Sequence, residues 1–203
     1  MKQAYFKKSV LLLAATFSVQ VFAATEYLKG KYGIDSDHTR VSFIIPHFVV
    51  SEVEGRFNDV KGEFTLAEPF SESKASVTVP IKSIDTGVKK RDDHLRSKDF
   101  FEVAKYPTMK FVAKSFSGSP EAFRVVGALT IKDVTKDVTL DGKYTGSVKD
   151  SWGEQRAALQ FTGLINRKDF HIMYDDKVDI GPAVGEEVKM RIWTEGVKQK
   201  EPK

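Results

Sequence analysis

Cysteine is absent from the 203 residues of this chain. Disulfides, thiolate nucleophiles, thiolate metal sites and cysteine-linked lipid anchors are thereby excluded, and the fold must rely on its core. Histidine is scarce, and His38, His47, His94 and His171 are scattered with no metal-pair spacing, so no metal site is expected. A surplus of one charge is also lacking. The formal net charge is +4, but Lys2, Lys7 and Lys8 carry most of that excess at the N-terminus. The remainder is close to neutral, which removes the electrostatic case for a nucleic-acid partner. No Gly-x-Ser-x-Gly elbow is present, and no catalytic residue is expected.

Long apolar runs are missing with one exception. "MKQAYFKK" is basic without an acid, "SVLLLAATFSVQV" is apolar, and "VFA" ends in small or apolar residues. This is the pattern of a secretory signal peptide over residues 1–23, with Ala23 before the cut. The run is too short, and too interrupted by Gln20, to span a bilayer, so no stable membrane insertion is expected. Residues 24–203 then form one exported domain, which in a bacterium means the periplasm. That length is ample for a real core.

From Arg40 onward the chain alternates apolar and polar residues, the period of a half-buried strand. Val41, Phe43 and Ile45 share one face, as do Val53, Gly55 and Phe57, then Val60, Gly62 and Phe64. Ala75, Val77, Val79 and Ile81 follow. Met109, Phe111 and Ala113, then Phe123 to Ile131, Val138 to Tyr144, Ala157 to Ile165, and Val188, Met190 and Ile192 complete the series. Turn signals such as "SGSPE", "KDVTKD", "KDSWGEQ" and "DIGPAVGEE" divide them. The reading is all-β: an antiparallel meander of about eight strands in a sandwich or barrel, without linker or repeat.

Glycine falls on the inward parity at Gly55, Gly62, Gly127, Gly142 and Gly163, beside Phe43, Phe57, Phe64, Phe111 and Phe161. Absent side chains among large rings are expected to leave an apolar bore open, although glycines also bend strands at barrel corners.

One stretch breaks the alternation. "RDDHLRSKDFFEVAKYP", residues 91–107, opens on charge, reaches Phe100 and Phe101, and stops at a proline. Asp92 and Asp93 precede Arg96 and Lys98, the charge order that suits a helix dipole, and Pro107 ends the helical option. A short helical insert capping one barrel end, with Leu95 inward, is expected.

That stretch, together with "YGIDSDHTRVSFIIPHF", "VEGRFNDVKGEF", "VVGALTIKDVTKDVTL" and "NRKDFHI", resembles the YceI-like polyisoprenoid-binding family over about residues 32–197. Thr39, Asp133 and Asp137 are departures from its usual residues. The resemblance implies a lipocalin-like antiparallel barrel in the periplasm, with a long isoprenoid or similar amphiphile threaded through it. No cofactor is required by this reading, although an isoprenoid or quinone-like lipid would be the bound partner. The expected apolar wall comprises Phe43, Ile45, Phe57, Phe64, Val77, Val79, Phe111, Leu129, Leu140, Phe161, Met190 and Ile192. His47, Arg91, Asp92, His94 and Arg167 match the family's polar positions. Two roles are open for them: meeting a ligand's polar head, or forming an Arg–Asp–His network that pins the helix. Two alternatives to a carrier are an enzyme using His94 or His47 on such an amphiphile, and an envelope stress protein with a solidly packed barrel. An exposed sheet face leaves room for a homodimer, which nothing in the sequence requires.

Overall fold

A computed structural model describes residues 26–200; the expected signal peptide and its Ala23 boundary lie outside the described residues. The chain runs β1 (Gly30–Ile34), β2 (Arg40–His47), β3 (Ser51–Phe57), β4 (Lys61–Leu66), β5 (Lys74–Pro80), β6 (Ile84–Asp85) and α1 (Lys89–Arg96). It continues through β7 (Thr108–Ser119), β8 (Ala122–Ile131), β9 (Val134–Lys149), β10 (Gln155–Asn166), β11 (Lys177–Val178), β12 (Gly181–Pro182) and β13 (Glu187–Lys198). Among the described residues, no helix is long and apolar enough to cross a membrane.

The ring β1-β4-β5-β7-β8-β9-β10-β13 closes through a β1–β13 pairing, giving an eight-stranded antiparallel barrel. Three of its strands are bent. β1 pairs with the end of β13 (Ile34 opposite Gly196), while β2 pairs with its beginning (Phe43 opposite Met190). β1 and β2 therefore act as one long strand bent at the 3-10 turn Ser36–His38. β3 and β4 form a second, and β5 and β6 a third, bent at Ile81–Ser83. The bends are tied together: the Val60 amide donates to Ser36 Oγ at 3.1 Å, and the Asn58 amide to the Ser83 carbonyl at 3.1 Å. The expected meander is present, but in thirteen strand segments. The "KDVTKD" turn is shorter than expected. Ile131 already pairs with Val134, so only Lys132 and Asp133 turn and the rest is strand.

The two ends of the barrel differ. At the end bearing the β7–β8 turn, the 3-10 turn Phe70–Glu72 drops Phe70 onto Phe116 and Phe123, with ring centroids 5.7 and 4.9 Å away. Tyr32, fully buried, stacks on Phe64 beside them. The opposite end carries α1, the 3-10 turn Arg167–Phe170 and the β11–β12 hairpin, and it forms the mouth.

The inward glycines act differently from the expectation. They do not leave empty volume: a Cβ on Gly55 would stand 2.3 Å from Phe43 Cζ, on Gly127 2.3 Å from Phe111 Cζ, and on Gly142 2.4 Å from Phe123 Cε2. Each glycine is the bed on which a cross-strand ring lies flat, and flattening the ring against the wall is what clears the bore. Gly62 is another case. Its φ is +147° and a Cβ there would meet the Ser76 carbonyl oxygen at 2.2 Å, so it serves a close backbone approach. Gly127→Ala is expected to destabilise by about 2 kcal/mol through overpacking against Phe111, read as a lower denaturant midpoint at unchanged slope.

Candidate binding site

Alternation along each strand delivers the inward residues to one interior, and that interior is hollow. A mouth chamber of about 280 Å³ lies under α1. A far chamber of about 120 Å³ continues toward the Phe70 plug. A solidly packed barrel is therefore not what this chain forms.

All twelve positions expected on the apolar wall line these chambers. Phe43, Ile45 and Phe57 face the mouth chamber. Phe64, Val77, Val79, Phe111, Leu140, Phe161 and Ile192 face the far one. Leu129 and Met190 border both. Several lining residues come from outside the strands: Leu95 on α1, Phe100 and Phe101 after it, Phe170 and Ile172 around the last 3-10 turn, and Tyr174, Ala183 and Val184 in the loop before β13. Only Leu95 was expected to point inward; Phe100 and Phe101 were conspicuous in the sequence as an apolar pair ending a charged run.

Of the five polar positions, Arg91 and Asp92 meet on Thr86, whereas His47, His94 and Arg167 lie outside that pair. Asp92 is buried and borders neither chamber; its Oδ1 accepts from the Thr86 amide at 2.9 Å and the Thr86 hydroxyl at 2.6 Å. Arg91 reaches the same residue, donating from Nε to Thr86 Oγ1 at 2.7 Å and from Nη2 to its carbonyl at 2.8 Å. Arg96, not anticipated in this role, donates to the carbonyls of Lys82 and Ile84 at 3.1 and 2.8 Å. These three side chains fasten α1 along β6. Consecutive helical residues point about 100° apart, so Arg91 can face the mouth chamber while Asp92 turns away.

His94 also borders the mouth chamber. Its Nε2 lies 3.0 Å from Asp99 Oδ2, and its ring meets Phe100 and Tyr174 edge-on at 5.1 and 5.3 Å. His47 borders the chamber with its ring 3.8 Å from that of Phe48 and no polar side-chain partner among the described residues.

Arg167 is 3% exposed and meets no carboxylate. Its Nε donates to the Gly185 carbonyl at 2.7 Å, Nη1 to Ile172 at 2.6 Å and Nη2 to Val184 at 3.2 Å. Burial pulls its pKa below the ordinary guanidinium value, against the opposing influence of Asp175 and Glu186. Arg167 thus holds both ends of the loop that roofs the mouth chamber.

A second polar cluster was not legible in the sequence. Outside the bore, Arg156 donates to Asp35 at 2.7 Å, Asp150 at 2.8 Å and Glu195 at 2.6 Å. Burial alone would raise the Asp35 carboxyl, but hydrogen bonds from Arg156, His38 and the Asp37 amide outweigh it and bring the pKa to about 2. Among the described residues, Asp35, His38 and Glu195 form the one group whose potential metal-ligand atoms lie within 4.8 Å of one another. The guanidinium already neutralises both carboxylates, so the donor set serves as an ion-pair clamp beside the β1–β2 bend. Asp175 and Asp176 lie near Lys168 and Tyr174, respectively.

Known proteins share this architecture. In Burkholderia cenocepacia, the crystal structure of BcnA superposes with a TM-score of 0.71 at 21% identity, covering 80% of this chain and 98% of that one. A polyisoprenoid binding domain from Saccharophagus degradans, implicated in plant cell wall breakdown, superposes at 0.61 with 15% identity, covering 83% and 98%. In sequence, protein YceI of Escherichia coli O157:H7 is 41% identical over 197 residues, which is 96% of this chain and all of that one. The pattern of the YceI-like domain matches residues 32–195, the full circuit from β1 into β13, and on that match this chain belongs to the YceI-like family.

Proposed function

We propose that this protein is a periplasmic binding and carrier protein. It holds a long apolar amphiphile, such as a polyisoprenoid or an isoprenoid quinone, inside the barrel. The observation that carries this reading is the hollow interior: two neighbouring chambers whose walls are almost wholly hydrocarbon. Such a space favours an apolar chain. Burial stabilises by about 0.8 kcal/mol per methylene, so each five-carbon unit contributes roughly 3–4 kcal/mol before the costs of association. The polar groups gather at the mouth, where Arg91, His47 and His94 face a ligand's head while the tail lies deeper. The polyisoprenoid-binding description of the Saccharophagus domain supports the same ligand class, and the basic-then-apolar N-terminus supports export.

The reading is non-enzymatic. His94 is engaged by Asp99 and two aromatic rings, and Arg167 by three carbonyls, so these groups serve as wall and roof. The test is organic extraction and mass spectrometry of protein purified from its native compartment. Wild type is expected to yield close to one prenyl lipid per chain, recovered chemically unchanged after long incubation with the protein. Phe161→Glu, which places a carboxylate in the far chamber, is expected to cut that occupancy more than tenfold, because an unpaired buried charge costs several kcal/mol. Wild-type protein that carries no lipid and binds neither quinones nor prenyl phosphates would refute the proposal.

A further inference from the structure

The two chambers share part of their wall, and the shared residues are identifiable. Among the described residues, only Val41, Leu129 and Met190 border both spaces. Val41 on β2 and Met190 on β13 are diagonal neighbours, because Met190 pairs with Phe43 and Val41 with Ile192. Leu129 lies on β8, which stands four places from β1 around the ring, so it faces them from the opposite wall. The Met190 methyl lies against Gly163: a Cβ there would come within 3.2 Å of Met190 Cε and 2.5 Å of Leu140 Cδ2. Gly163 therefore provides a recess into which the end of the methionine settles. Methionine is unbranched, with three rotatable bonds, and it adapts its shape at little cost. A constriction built on it yields to a thin chain more readily than one built on a β-branched or aromatic residue.

The volumes give this shared wall a consequence. Sites for drug-sized ligands run from about 300 to 1,000 Å³. The mouth chamber, at about 280 Å³, falls just short of that range, and the far chamber, at about 120 Å³, falls well short. A long ligand must therefore use both, and its chain must pass between Met190 and Leu129. A quinone ring or a charged head is wider or more polar than the prenyl chain that carries it.

We infer that Met190, Leu129 and Val41 form a selecting aperture. It threads a linear prenyl chain into the far chamber, retains the bulky or polar end in the mouth chamber, and so makes affinity depend on chain length. This rests on the lipid-binding reading above and adds to it the residues that discriminate among lipids. Short prenols end in the mouth chamber and ignore the aperture. Longer ones gain a second increment by passing through it. A five-carbon unit kept in water instead of the far chamber forfeits up to about a thousandfold in affinity.

The experiment is a ladder of dissociation constants for geraniol, farnesol, geranylgeraniol and solanesol, measured with delipidated protein. Wild type is expected to bind more tightly with each step until both chambers are filled. Met190→Trp is expected to weaken geranylgeraniol by about tenfold more than it weakens geraniol, which flattens the ladder. Leu129→Phe narrows the passage from the other wall with Met190 intact. It is expected to flatten the ladder in the same way, and it decides the matter if Met190→Trp fails to fold. Met190→Ala is expected to retain or strengthen the long-chain increment. If both narrowed proteins keep the wild-type ladder, the aperture is refuted while the carrier reading stands. If wild type binds no prenol at all, the aperture is refuted, while the carrier reading is decided separately by lipid extraction and by binding of quinones and prenyl phosphates.

Discussion

Arg167→Ala is expected to lower stability by about 3 kcal/mol and to loosen the roof of the mouth chamber. The side chain is 3% exposed, and its three donors satisfy the carbonyls of Ile172, Val184 and Gly185. Removing it orphans those oxygens at about 1–3 kcal/mol each where water does not replace the donor. The loss is partly offset, because alanine also relieves the cost of burying a cation, the same cost that depresses the Arg167 pKa. The net effect corresponds to a fall in melting temperature of about 10 °C for a domain of this size. The loosening should be local. The loop stays fastened to β2 through the Phe48 amide on the Ala183 carbonyl and the Gly185 amide on the Pro46 carbonyl, at 3.0 and 2.9 Å. What it loses are the three side-chain ties to the 3-10 turn that set Ile172, Tyr174 and Val184 in the chamber wall, while the Arg167 amide on the Glu186 carbonyl and the Lys168–Glu186 ion pair remain. Hydrogen exchange should therefore accelerate over residues 171–186 while β7 to β9 remain protected. Arg167→Lys should recover only part of the loss, because one ammonium cannot reproduce a fork aimed at three acceptors. Unchanged exchange in that loop would show that Arg167 does not secure it.

The difference between what was and was not legible in the sequence follows from the range of the interactions involved. Strand parity is local: successive side chains alternate between the two faces, so reading every second residue placed Phe43, Val77, Leu140 and Met190 on the bore wall. The same reasoning found the helix through its charge order and its terminating proline. It could not find Phe170, Ile172 or Val184, which reach the chamber from a 3-10 turn and a loop without a repeating period. Nor could it show that a phenylalanine from the neighbouring strand occupies the space above Gly55 or Gly142, because that depends on register. Motif proximity also misled. Arg91, Asp92 and His94 are near in sequence but point to Thr86, Thr86 and Asp99, and Arg167 does not join them. The Arg156 cluster joins residues up to 121 positions apart, beyond any local pattern.

That cluster carries the other large expected effect, and its pH dependence reverses in sign. In wild type Asp35 titrates at about 2, below its ordinary value of 3.8. A carboxylate whose pKa is depressed by folding contributes stability that is complete above the unfolded value and is lost as pH falls through the folded one. From Asp35 that contribution is about 2 kcal/mol, present above pH 4 and lost toward pH 2. Asp150 is shifted in the same direction, first by its hydrogen bond from Arg156, and adds to the slope without changing its sign. Arg156→Met removes the cation and leaves three carboxylates that had converged on it. At neutral pH the expected loss is about 3 kcal/mol, set by the uncompensated charge more than by the lost contacts, since methionine keeps the packing of the stem. Their mutual repulsion now favours protonation, and the carboxyl of Asp35, desolvated by burial and without its guanidinium, rises above its unfolded pKa. The variant should therefore gain stability through these carboxylates as pH falls from 7 toward 4.5, whereas wild type gains over that interval only what protonation of His38 adds and declines below about 4. His38, whose bond to Asp35 raises its pKa, supplies a positive charge on the acid side in wild type and variant alike. Melting temperature against pH for the two proteins reads the sign directly. Adding Asp35→Asn and Glu195→Gln to the variant should restore much of the neutral-pH loss and flatten its profile. If Arg156→Met instead loses stability in parallel with wild type on acidification, charge neutralisation is not what Arg156 provides at the β1–β2 bend.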